Sequence, residues 1–243
     1  MPPSHQTALV TGAARRIGRA IALDLAAHGW RVGLHYRSSK NDAERLADEI
    51  RAAGGCAAPL AANLANTDDV RALVERCAQA LGAPSCLVNN ASEFLPDAIT
   101  SLTPSSWDTH LDVNLKAPVF LAQALYLSLP ESVEGNVINI LDQRVWRPTP
   151  DFFSYTVSKT GLWTATQTLA QALAPRVRVN AIGPGPVLKS VHQTDADFEG
   201  EKAATLLKRG PTLVEIAAAV RFILDTPSMT GQMIALDGGQ HLA

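Results

Sequence analysis

Short apolar runs alternate along this chain with longer amphipathic segments, and that rhythm limits the fold before any motif is read. Thr7–Val10, Arg31–Tyr36, Cys56–Ala61, 86–88, 137–140, 177–180 and Met233–Leu236 read as strands. Between them a helix runs from about Gly18, with Ile17, Ile21 and Leu25 recurring every fourth residue until Gly29. A second carries Ala43, Leu46, Ala47 and Ile50 on one face and ends at Gly54-Gly55. Thr67 caps a third, whose stripe is Val70, Leu73, Val74 and Cys77. Helical patterns follow over 107–128, 155–174 and 212–224, the last opened by a Thr212/Glu215 capping box. Strand and helix in turn imply an α/β fold, a doubly wound parallel sheet of about seven strands flanked by helices. Neither a repeat nor a linker divides the chain, so residues 1–243 are expected to form one domain.

Composition narrows the partners. With 243 residues, 47% of them hydrophobic, the chain can bury a substantial core. Its 21 basic and 23 acidic side chains leave a net charge of −2, which gives no electrostatic case for nucleic acid or an anionic membrane. Cys56, Cys77 and Cys86 are odd in number and lack CxxC spacing. That suits buried, reduced thiols in a cytoplasm, and no metal site is expected. The opening residues 1–6 show no basic region followed by an apolar stretch, and no long apolar run comes later. A cytoplasmic protein acting on a small molecule is the expectation.

Thr11-Gly12-Ala13-Ala14-Arg15-Arg16-Ile17-Gly18 lies between the first strand and the first helix, where backbone amides and the helix dipole can meet a pyrophosphate. Gly12 permits the tight turn and Gly18 lets the helix pack closely, while Arg16 replaces the middle glycine of GxGxxG. An acid at the end of the second strand would favour NAD. This chain instead has His35-Tyr36-Arg37-Ser38-Ser39, within reach of Arg15. Two guanidiniums and two hydroxyls suit the extra phosphate of NADPH. Further on, Tyr155 and Lys159 stand one helical turn apart, so an ammonium can sit beside a phenol and favour its anion. Asp142 precedes them.

Across nearly its whole length the chain resembles the short-chain dehydrogenase/reductase family. The resemblance rests on Thr11-Gly12 with Gly18, Asn89-Asn90-Ala91, Asn114, Tyr155 with Lys159, Pro184-Gly185 and Leu236-Asp237-Gly238-Gly239, in the family's order. Within the family it is most similar to pteridine reductases and bacterial dihydromonapterin and dihydrofolate reductases. That narrower likeness is carried by the Arg15-Arg16 turn, by His35 to Ser39, by Asn90-Ala91-Ser92-Glu93-Phe94, and by Asp142 where the family usually has serine. The resemblance implies a Rossmann-type fold, a homotetramer and reduction of a pterin by NADPH, with hydride from the nicotinamide and a proton from Tyr155. Lys159 would hold the nicotinamide ribose and lower the phenol's pKa. Asn114 would maintain a water-linked proton path, and Asp142 would bind or help protonate the substrate.

The same resemblance places the cofactor against Gly12, Arg15, Arg16, Ile17, Gly18, His35 to Ser39, Asn63, Leu64, Asn90, Ala91, Ser92, Lys159, Pro184, Gly185 and Val187. Asn63 stands where relatives commonly present an aspartate to adenine. A flat heterocycle would meet Phe94 on one face, Arg16 and Ser92 at its polar edge, and Asp142, Tyr155 and Leu188 around it. The segment 186–209, which includes His192 and Asp195, reads as a mobile lid, with His192 in solvent. Two alternatives stand beside this reading: reduction of a carbonyl such as a 3-oxoacyl thioester, and a non-catalytic NADP(H)-binding sensor.

Overall fold

A computed structural model of the chain describes residues 6–243; the expectation placed on the opening residues lies almost wholly outside them. Seven parallel strands form one sheet: β1 (Thr7–Val10), β2 (Arg31–Tyr36), β3 (Cys56–Ala61), β4 (Cys86–Asn89), β5 (Gly135–Ile140), β6 (Val177–Pro184) and β7 (Met233–Leu236). The helices are α1 (Arg16–Ala27), α2 (Lys40–Ala52), α3 (Thr67–Leu81), α4 (Pro104–Leu111), α5 (Ala117–Ser128), α6 (Phe153–Leu173), α7 (Asp195–Ala204) and α8 (Leu213–Leu224). Strand order is β3-β2-β1-β4-β5-β6-β7, the doubly wound Rossmann-type arrangement. The chain winds outward from β1 on one side, then returns to its other side at β4. The crevice at that reversal is where this architecture receives ligands.

The central strands β1 and β4 are buried on both faces because their residues alternate between two cores. Ala8 and Val10 pack with α1, α2 and α8, whereas Leu9 packs on the opposite face with α3 and α5. Cys86 and Val88 against Leu87 repeat the pattern in β4. Among the described residues no helix is long and apolar enough to cross a membrane.

The structure departs from the sequence-based expectations at several places. The expected helix over 107–128 is two helices joined by a π-helical turn at Asp112–Lys116. Pro118 is the physical reason: it has no amide to bond the Asn114 carbonyl four residues back, so the ladder slackens ahead of it. Asn66, not Thr67, caps α3, its side chain accepting from the amides of Asp68 and Asp69 at 2.9 and 3.0 Å. Segment 186–209 contains α7, started by a Thr194/Asp197 capping box. Finally, Cys56 is exposed, while Cys77 and Cys86 are buried.

Candidate active site

The turn after β1 is stitched to the chain after β4. Thr11 Oγ1 accepts from the amides of Asn90 and Ala91 at 2.9 and 3.0 Å, and Asn90 Nδ2 donates back to the Thr11 carbonyl at 2.8 Å. Gly12 takes a left-handed φ of +62°. A Cβ on Gly18 would lie 2.2 Å from the Gly12 carbonyl oxygen, so α1 can start this close to the turn only with glycine there. His35 is buried under the turn, and both ring nitrogens are used internally. Nδ1 accepts from the Gly12 amide at 3.0 Å, and Nε2 donates to the Ala62 carbonyl at 3.1 Å. Burial lowers its pKa to about 4. His35 therefore braces the turn after β1 from beneath.

Above the turn lies a cleft of about 390 Å³, lined by the residues of 14–18, Tyr36 to Ser39, Asn63, Leu64 and Asn90 to Glu93. It fits a dinucleotide by its own construction. The N-terminus of α1 has no side-chain cap and no acid in its first turn, so its amides and dipole face the cleft uncompensated. Arg15 and Arg37 both line it, as expected for a phosphate site, yet each already holds a carboxylate: Arg15 pairs with Asp42, and Arg37 with Glu93. Folding thus brings two acids to a region whose local sequence has none. Asn63 Oδ1 accepts from the Ala65 amide, which commits its carbonyl end to a local turn.

Arg16, Ile17, Asn90 and Ser92 are shared with a second cleft of about 480 Å³. Its wall includes Phe94, Asp142, Tyr155, Lys159, Gly185, Val187 and Leu188 from the sequence reading. Phe152, Arg144, Glu201 and Gln240 also line it and were not among the candidates; they stand close to Asp142, Tyr155, the 186–209 segment and Gly239, but spacing alone does not show which neighbours turn into the cleft. Phe152 adopts left-handed backbone (φ +55°), unusual for a bulky side chain, just ahead of α6. Its ring stacks on Phe94 with centroids 4.2 Å apart, and Phe94 meets the Tyr155 ring edge-on at 4.7 Å.

The Tyr155 hydroxyl donates to Asp142 Oδ2 at 2.8 Å, and Asp142 Oδ1 accepts from the Arg144 amide at 2.9 Å. The carboxylate, and not Lys159, is the phenol's hydrogen-bond partner. Lys159 Nζ donates to the Ile140 carbonyl at 2.8 Å and stands 5.8 Å from the centre of the Tyr155 ring. Burial and the adjacent Asp142 carboxylate raise the phenol's pKa well above 10. Burial likewise raises the Asp142 carboxyl above its ordinary range and lowers Lys159 to about 8.

Two further side chains on the site's border are held by internal hydrogen bonds. Asn114 Oδ1 accepts from the Glu93 amide and the Ser92 hydroxyl, and Nδ2 donates to the Glu93 carbonyl and Ser158 Oγ. All four positions of its side-chain amide are used in bracing the Ser92–Glu93 stretch against α6. Arg16 reaches across the cleft to the carbonyls of Leu188 and Lys189 at 3.1 and 3.0 Å. His192 is exposed as expected, yet its Nε2 lies 3.2 Å from the Phe94 carbonyl oxygen. Segment 186–209 therefore borders the cleft through contacts on both sides.

The family model described as enoyl-(acyl carrier protein) reductase matches residues 12–241. The chain is 51% identical to a structure of FolM alternative dihydrofolate reductase 1 from Brucella canis complexed with NADP, covering 98% of this chain and 94% of that one, with a TM-score of 0.96. The corresponding Brucella suis structure, also in complex with NADP, gives the same identity and TM-score and is covered over 96% of its length. A 3-oxoacyl-[acyl-carrier-protein] reductase, FabG of Staphylococcus epidermidis, is 31% identical over 98% of this chain and 100% of its own.

Proposed function

The chain belongs to the short-chain dehydrogenase/reductase family, and we propose that within it this oxidoreductase reduces a pterin with NADPH. The Brucella structures hold NADP, and the cleft here offers the uncapped α1 terminus, Arg15, Arg37, Ser38 and Ser39 to the same groups. When bound, NADPH supplies the hydride. Lys159, Pro184, Gly185 and Val187 are assigned to its nicotinamide end. Segment 186–209 is assigned as the lid over the substrate, and the working form is proposed to be a cytoplasmic homotetramer.

The observation that carries the substrate class is the hydrogen bond from Tyr155 to Asp142. The phenol carries the hydrogen of that bond, so Tyr155 is present in the form a proton donor to a reduced ring needs. Ionised Asp142 only accepts hydrogen bonds, so it matches the ring N–H and amino groups of a pterin. An oxygen gaining negative charge, as in carbonyl reduction, would be repelled by it. The Phe94 and Phe152 rings add flat apolar surface to the same cleft.

A second reading has support in the FabG likeness: Asp142, if protonated, can donate to a carbonyl oxygen as a serine would. Dihydrobiopterin, dihydromonapterin, dihydrofolate and a 3-oxoacyl thioester, each incubated with NADPH and followed by nicotinamide absorbance, separate the two. Reduction of a pterin is the expected result. Turnover of the oxoacyl compound alone would overturn it, and cofactor binding without turnover would point to a sensor. Light scattering should return the mass of four chains.

A further inference from the structure

Beside the site lies a buried polar relay made of Asp97, His110 and Ser154. His110 and Ser154 are fully buried and Asp97 nearly so. The directions of its hydrogen bonds follow from one fixed donor. The Leu95 amide can only donate, and it points at His110 Nε2 at 3.0 Å, so that nitrogen is the acceptor. In the neutral ring Nδ1 then carries the hydrogen and donates to Ser154 Oγ at 2.6 Å. Ser154 in turn gives its hydroxyl hydrogen to Asp97 Oδ2. Burial holds the imidazole below its ordinary pKa against the pull of Asp97, Glu93 and the Ser106 backbone.

The relay joins three segments that meet at the substrate cleft. Asp97 and Leu95 belong to the stretch that carries Ser92 and Phe94, His110 to the last turn of α4, and Ser154 to the first turn of α6. Helix α6 needs that outside help. Phe152 at its N-cap makes no side-chain capping bond. Asp97 supplies the cap instead, its Oδ1 accepting from the Ser154 amide at 3.1 Å and its carbonyl from the Phe153 amide at 3.3 Å. Tyr155 is the next residue, and its ring lies 6.1 Å from that of His110 and 4.7 Å from that of Phe94.

We infer that Asp97, Ser154 and His110 form a positioning relay that holds the head of α6 in register with the Phe94 segment, and so sets the Tyr155 hydroxyl on Asp142. The inference rests on Tyr155 as the proton donor of the proposed reaction. None of the three touches the reacting atoms; they act through Tyr155 and Phe94. Buried polar groups that satisfy one another specify a single arrangement, and loss of one member leaves the others unpaired.

Ser154→Ala removes the middle hydroxyl and keeps the backbone cap; His110→Gln keeps an acceptor for Leu95 and loses the bond to Ser154. For whichever substrate the wild type reduces, each variant should lower kcat more than about tenfold, while KM for NADPH stays within about twofold. The double variant should lose no more than either single one, since one relay is broken in each case. A readout independent of substrate is available because the chain has only three tyrosines, Tyr36, Tyr126 and Tyr155. With ¹³Cζ-labelled tyrosine, the Tyr155 phenol should titrate at lower pH in Ser154→Ala than in the wild type as its bond to Asp142 loosens. An unchanged kcat, or a fall in kcat with an unshifted Tyr155 titration, overturns the relay. If the wild type reduces none of the compounds tested, the pterin reading fails and the tyrosine titration alone decides this one.

Discussion

Tyr155 shares its hydrogen bond with a carboxylate, not with the lysine one turn along its helix, and most consequences at the residue scale follow from that. Tyr155→Phe should keep NADPH affinity and lower kcat by about 10²–10⁴-fold, the usual contribution of a positioned acid; preserved turnover would remove Tyr155 as donor. Asp142 sets the pH range. Its negative charge raises the phenol's pKa, so the wild type should keep its protonated donor, and its activity, into alkaline solution. In Asp142→Ser the phenol loses that charge and its pKa falls, so the alkaline limb of kcat should move to lower pH. Pterin reduction should also fall more in this variant than reduction of a carbonyl probe, and equal losses would reject recognition by the carboxylate. Little of this balance was legible in sequence. The spacing of Tyr155 and Lys159 places both on one helix, but it does not show the Ile140 carbonyl that claims the ammonium.

Among the elements, the turn between β1 and α1 is the most constrained. Gly18→Ala would drive a Cβ to 2.2 Å from the Gly12 carbonyl oxygen, where only backbone movement gives relief. Such overpacking should cost about 1–3 kcal/mol in denaturant unfolding and weaken NADPH binding. The same turn makes stability sensitive to acid. His35 has a pKa of about 4 in the fold against about 6.5 when unfolded, so between these values the unfolded chain binds the extra proton. Its contribution to stability is complete above pH 6.5, declines as pH falls, and is lost below pH 4, for a total of about 3 kcal/mol. Urea unfolding from pH 7.5 to 4.5 should show that decline, and His35→Gln should flatten it. Existence and order of elements were readable from periodicity, since burial on one face repeats at the helical or strand period. The π-helical turn was not, although Pro118 is its visible cause.

At the scale of the whole molecule, two cores hold one sheet between them, and Leu87 in central β4 is fully enclosed in the one beneath α3 and α5. Leu87→Ala should cost about 2–5 kcal/mol by urea unfolding, the range for an enclosed leucine that leaves a cavity. Glycines, strand runs and helical stripes are local in the chain, because steric freedom and one-face burial are properties of neighbouring residues. By itself the sequence therefore determined the doubly wound sheet, the cofactor turn and the pairing of Tyr155 with Lys159 on one helix. Only the tertiary structure decided who answers each charge and each buried polar group. Glu93 reaches Arg37 across 56 residues, Asp97 caps a helix 57 residues away, and Asp142 accepts from the Tyr155 hydroxyl while Lys159 donates to the Ile140 carbonyl. Coulombic attraction and hydrogen bonding act through space over a few ångströms, so their partners are set by how the layers close.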